Sequence, residues 1–362
     1  MAAKSTNAIP KALTAAVLML AGGLAAYRSQ AAAIVGQQGA AEIQRPASVP
    51  RTLDQTKAEY RRPETIPFPP TNPYTLEKAV LGKKLYFDTR LSSGNLLSCA
   101  SCHNPAFGWG DAQPKAIGHD MKVLARRSPS IVNAAWNQAL MWDGREATLE
   151  TQALGPIATA AEMNMPLAVL TERLAGIGGY NPLFTAAFGT DAITAQNVAK
   201  ALATFERTVV SASALFDSWI AGDEKAISED AKRGFALFNT KAGCAQCHSG
   251  WNFTDDSFHD IGLDSPDLGR GKLVSDTLKL QHAFKTPGLR EIARRAPFAH
   301  DGSLPTLEAV VDHYDRGGIE RPSRSDIIKP LRLTAQEKTD LVAFLQTLTG
   351  RAEPMSIPLL PR

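Results

Sequence analysis

Apolar residues recur at three- and four-residue intervals over several stretches, which predicts helices rather than strands. From Ala195 to Val210, one face carries Val198, Leu202, Phe205 and Val209. A second helix is expected over Ser228 to Phe238 and a third over Thr334 to Leu348. In the third, Thr334 and Glu337 form a capping box, Leu341, Leu345 and Leu348 face inward, and Gly350 ends the helix. Thr75 caps an earlier short helix, with Leu76, Val80 and Leu85 expected inward. No β-alternating run of useful length occurs. The expected class is mainly α, two small helical domains packed together with long loops.

A weak internal repeat supports two domains. Leu85-Tyr86-Phe87 precedes Cys99 by about a dozen residues, and Phe235-Ala236-Leu237-Phe238 precedes Cys244 by about half that. The boundary is expected near Ser211 to Phe216, giving an N-terminal domain over 74–212 and a C-terminal domain over 213–352, with a tail over 353–362. Residues 34–73 are rich in Pro, Gln and Arg and read as an extended lead-in packed on a domain surface. Residues 1–33 read as an export signal: Lys4 and Lys11 are the positive region, Ala12 to Ala26 the apolar core, and Ala31-Ala32-Ala33 a cleavage site. The alternative is an uncleaved anchor; either way the rest lies outside the cytoplasm, in the periplasm.

Composition changes this picture little. The 362 residues carry a net charge of +3, but the first 33 contribute three bases and no acid, so the remainder has 36 of each sign. Nucleic acid is not an expected partner, since no basic run occurs elsewhere.

The chemistry lies in the four cysteines. Cys99-Ala100-Ser101-Cys102-His103 and Cys244-Ala245-Gln246-Cys247-His248 each fit CxxCH. Two thiols one turn apart can add to the two vinyl groups of one haem, and the following His then sits beneath the iron. Zinc sites and redox dithiols are the rivals, but two copies in an exported chain without further cysteines favour two covalently bound c-type haems. Each domain then reads as cytochrome c-like, with the haem supplying core that the chain lacks.

From about Thr75 to Gly350 the sequence resembles the bacterial dihaem cytochrome c peroxidases, a family that includes MauG. Matching stretches include Gly82-Lys83-Lys84-Leu85-Tyr86-Phe87-Asp88, Met141-Trp142-Asp143-Gly144-Arg145, Gln152-Ala153-Leu154-Gly155-Pro156, Ala161-Glu162-Met163-Asn164, Phe284-Lys285-Thr286-Pro287 and His300-Asp301-Gly302-Ser303-Leu304. The resemblance implies that the haem on His103 reacts with hydrogen peroxide and that the haem on His248 relays electrons. It implies Trp142 between them, and Glu162 and Gln152 in the peroxide pocket. A carboxylate there can take a proton from one peroxide oxygen and return it to the other. His119, 16 residues after His103, matches a removable distal ligand of the family's peroxidases, with water as the alternative occupant. A homodimer and a small electron-donor protein, a cytochrome c or cupredoxin, are also implied.

The sequence departs from the peroxidases in two places. Where many place a Met on the second haem, this chain has Tyr314, sharing a face with Leu307, Val310 and Val311. That is the MauG-like choice, and a phenolate stabilises oxidised iron where a thioether does the reverse. His313 is the competing ligand, about 100° around the helix, so only one of the two can face the iron. The family also holds a calcium ion through an Asn and main-chain carbonyls. The Asn position is Arg127 and the carbonyl positions are Arg295 and Pro297. Calcium is therefore held by carbonyls alone, or Arg127 takes its place. The leading functional expectation is a periplasmic cytochrome c peroxidase. The alternatives are a MauG-like enzyme that uses peroxide to oxidise a partner protein, and a plain dihaem electron carrier.

Overall fold

The computed structural model describes residues 52–351 and 354–362. The expected export signal and the first part of the lead-in lie outside the described residues. Within them, helices dominate. After α1 (Leu53–Glu59), the N-terminal half comprises α2 (Leu76–Phe87), α3 (Cys99–Cys102), α4 (Leu149–Ala158), α5 (Leu167–Ala175), α6 (Asn181–Phe188) and α7 (Ala195–Arg207). The C-terminal half comprises α8 (Leu215–Ile220), α9 (Glu229–Asn239), α10 (Leu307–Arg316) and α11 (Ala335–Gln346). A two-residue ladder pairs β1 (Phe258–His259) antiparallel with β2 (Phe284–Lys285).

Both halves are built on the same helix crossing. Gly82 of α2 packs on Ala201 and Phe205 of α7, and Gly234 of α9 packs on Asp340 and Phe344 of α11. A Cβ at either glycine would overlap the backbone carbonyl opposite, so only glycine lets the helices approach this closely. Gly82→Ala and Gly234→Ala are each expected to destabilise the folded protein by about 3 kcal/mol, because a backbone carbonyl cannot move aside as a side chain would. Thermal unfolding of the haem-loaded protein checks this, with Gly178→Ala as control, since a Cβ there meets nothing within 4 Å.

The caps expected from sequence are present at Thr75, Ser228 and Thr334, the last in a capping box with Glu337. Two details differ. On α2 only Leu85 of the three expected residues is inward; Leu76 and Val80 are exposed, and the buried face carries Leu81, Leu85 and Tyr86. The reason is the crossing at Gly82, which turns that face toward α7. And α11 stops at Gln346 with Thr347 as cap, ahead of Gly350.

The lead-in is a larger correction. It is not extended over Leu53–Glu59, which form α1, and it does not merely cover a surface. Tyr60 is buried in the aromatic core of the C-terminal half, with its ring centroid 4.8 Å from that of Phe253 and its hydroxyl donating to Asn239 Oδ1 at 2.8 Å. In return, the tail crosses to the N-terminal half. Lys84 Nζ donates to Leu359 O at 2.6 Å, Arg90 Nη2 to Pro361 O at 2.9 Å, and Gly179 N to Arg362 O at 2.9 Å. Each end of the described chain thus anchors in the opposite half.

Candidate functional site

A cavity of about 680 Å³ is lined by residues of both halves. Its wall includes both cysteine motifs: Cys99, Cys102 and His103 from one, and Cys244, Cys247 and His248 from the other. The thiols form no disulfide. Burial pushes the Cys102 thiol up to about 11 and the Cys244 thiol to about 12. A redox dithiol needs the opposite shift, toward thiolate, so this environment disfavours that rival.

The two histidines are set identically. His103 Nδ1 lies 2.8 Å from Pro129 O, and His248 Nδ1 lies 2.9 Å from Phe253 O. A carbonyl can only accept, so each Nδ1 carries the proton and each Nε2 is left with its lone pair available to a metal. Burial lowers both pKa values, keeping the rings neutral as a metal ligand must be. The Tyr86 hydroxyl donates to His103 O at 3.0 Å and fixes the backbone of the first motif.

The cavity also brings together most of the other expected residues. Gln152 projects from α4 one turn before Pro156, and both line the wall. After α4 the chain folds back, with Glu162 N donating to Thr159 O at 3.0 Å and Met163 N to Pro156 O at 3.1 Å, which brings Glu162 to the same wall. Burial raises the Glu162 pKa, opposed by Arg145, which also lines the cavity. Trp142 lines it too; its Nε1 donates to Arg127 O at 2.9 Å, and its ring meets His300 edge-on with centroids 6.5 Å apart. Across the cavity, Leu307, Val310, Val311 and Tyr314 of α10 form a continuous lining face. His313 is turned elsewhere: its Nε2 donates to Ile261 O at 2.9 Å. Of the two competing residues, Tyr314 is therefore the one directed to the second motif.

His119 is not brought to the cavity. Its ring nitrogens lie 3.5 Å from Ser93 Oγ and 3.4 Å from an Asp120 carboxylate oxygen. His119 N is held by Ala161 O and Glu162 O, and the next two residues, Asp120 and Met121, both take left-handed backbone angles.

Two features escaped the sequence reading. Glu206 on α7 is buried and lines the cavity, with Oε2 lacking a partner, and burial pushes its carboxyl up to about 8. Its position four residues after Leu202 on the apolar face was the available signal. The second is the pair Asp255–His259 at 2.9 Å, beside Cys247. No local pattern distinguishes it, because β1 and its neighbouring turn bring the two together.

The cavity fits haem. Four free thiols and two imidazoles with available Nε2 line it, and the buried guanidinium nitrogens Arg127 Nε and Arg295 Nε lack partners, as anionic propionates would supply. Calcium fits poorly. Arg127 Nη1 donates to Pro297 O, one of the carbonyls expected to hold the ion.

Comparisons with known proteins agree. Residues 76–225 match the family described as di-haem cytochrome c peroxidase, and residues 231–349 match cytochrome c. The chain is 51% identical over 332 residues to the methylamine utilization protein MauG of Methylorubrum extorquens, covering 91% of this chain and 94% of that one. It is 37% identical over 328 residues to the cytochrome-c peroxidase IdrP1 of a Pseudomonas strain, covering 82% and 85%. Among solved structures, a MauG-like protein associated with microbial copper homeostasis superposes with a TM-score of 0.75 at 32% identity, over 80% of this chain and 95% of that one. The chain belongs to the dihaem cytochrome c peroxidase/MauG family, and it carries two covalently bound c-type haems.

Proposed function

We propose that this protein is a MauG-like oxidoreductase, which uses hydrogen peroxide to oxidise side chains of a partner protein in methylamine utilization. The observation that carries the reading is the 51% identity to a MauG along nearly the whole of both chains. The peroxidase with a small donor, the leading expectation from sequence, has weaker support at 37%. Tyr314 on the cavity wall and a His119 ring turned outside it both favour the MauG-like alternative.

When bound, the haem on His103 supplies the iron that reacts with peroxide, and the haem on His248 supplies a second redox centre. His103 and His248 would hold the irons through Nε2, and Tyr314 would be the further candidate ligand toward the second. Glu162 takes a proton from one peroxide oxygen and returns it to the other, so that two electrons and two further protons complete the reduction to two waters. The electrons come from the partner's side chains, with Trp142 carrying them between the halves. Gln152 lines the same cavity, its amide donating to Met141 Sδ at 3.6 Å, and is the candidate to orient the peroxide.

The reaction belongs in the periplasm, consistent with the export signal read in the sequence; among the described residues no helix is long and apolar enough to cross a membrane. Incubating the haem-loaded protein with peroxide and an unprocessed methylamine-utilization enzyme tests the reading. Mass spectrometry is expected to find oxidised side chains in the partner, while reduced cytochrome c is consumed slowly. Fast cytochrome c turnover with an unmodified partner would overturn it.

A further inference from the structure

A short loop, residues 126–130, is bonded to the first proximal histidine, to Trp142 and to the C-terminal half. Pro129 O accepts from His103 Nδ1 at 2.8 Å, and Arg127 O accepts from Trp142 Nε1 at 2.9 Å. Arg127 N donates to His300 O at 2.9 Å, and its guanidinium donates to Pro297 O. One residue therefore joins the tryptophan, the loop behind the proximal histidine and the 297–300 segment of the other half.

We propose that the Arg127 guanidinium is the inter-haem cation of this protein, built into the chain in place of a calcium ion. Two observations carry this. First, the Pro297 carbonyl, an oxygen that calcium would need, already accepts from Arg127. Second, the neighbourhood is cationic. The Arg295 guanidinium is buried as well, donates to Gly288 O at 2.8 Å and is opposed electrostatically by Arg127. A divalent ion entering here would meet two guanidiniums where it requires six to eight oxygens.

The substitution changes what the positioning of Trp142 depends on. A bound ion dissociates and can be removed by a chelator. A tethered guanidinium cannot leave, and its planar fork fixes direction as well as charge. Arg127 is thus a positioning residue: it acts on the reaction through Trp142 and the proximal loop.

The test uses the haem-loaded protein. After exhaustive dialysis against a chelator, elemental analysis is expected to find no stoichiometric calcium, and both ferric EPR signals should be unchanged. Arg127→Gln is expected to shift those signals and the separation of the two haem reduction potentials. Either Arg127→Lys or millimolar calcium added to the Gln variant should restore them. Stoichiometric calcium in the wild type would overturn the proposal. So would an Arg127→Gln protein spectroscopically identical to wild type, or a shift that neither lysine nor calcium restores.

Discussion

Replacing Glu162 with Gln is expected to slow the reaction with peroxide by on the order of 10²- to 10⁴-fold while leaving both haems attached. The argument is chemical. Peroxide cannot break its O–O bond cheaply unless a proton moves from one oxygen to the other. Glu162 lines the N-terminal side of the cavity, and no side-chain hydrogen bond holds its carboxyl in another role. Gln keeps the size and loses the exchangeable charge. The pH dependence carries a second signature. Burial raises the Glu162 pKa, so its base form is gained only as pH climbs above the ordinary carboxylate range. The wild-type rate should therefore rise with pH through that raised value, and the Gln variant should lose the rise. Stopped-flow mixing with peroxide at several pH values measures both. A Gln variant as fast as wild type would remove Glu162 from the mechanism.

Trp142→Phe is expected to have the next largest effect. The indole is oxidisable and polarisable, it lines the cavity shared by both motifs, and its Nε1 is fixed by Arg127 O. Phe fills most of the space but has neither the hydrogen bond nor an accessible oxidation. Peroxide should still react at the first haem, because Glu162 and His103 are untouched. What should fail is sharing of the oxidising equivalents with the second half, slowed by on the order of tenfold or more, equivalent to about 1.4 kcal/mol or more of added barrier. Following the haem spectra separately after peroxide addition distinguishes the two steps. A Phe variant in which both halves respond together would exclude Trp142 from the route.

Much of the local structure was legible in the chain, because local rules govern it. Helix caps at Thr75, Ser228 and Thr334 follow from side chains that satisfy nearby backbone donors. The orientation of Tyr314 relative to His313 follows from helical periodicity alone. What was not legible depends on long-range contacts. Nothing near Tyr60 in the sequence announces that it fills a core formed more than 150 residues later by Phe216, Phe235 and Phe253. Leu76 and Val80 obey the same periodicity as buried residues, yet the close approach at Gly82 decides which face of α2 is covered. His119 stands at the spacing of a distal ligand, but its ring lies against Ser93 and Asp120, a placement that spacing does not announce. The substitution at Arg127 was visible; its bond to Pro297, on the far side of the domain boundary, was not.

The central claim is that this chain holds oxidising power for a partner protein rather than spending it on a small donor. The direct measurement is the lifetime of the oxidised state after one equivalent of peroxide is added to the ferric, haem-loaded protein without any donor, followed by optical and EPR spectroscopy. The expected result is a state, carried by both haems, that persists for minutes and decays faster in Trp142→Phe. A return to the resting ferric spectrum within the mixing time, or no reaction until the protein has first been half-reduced, would contradict it.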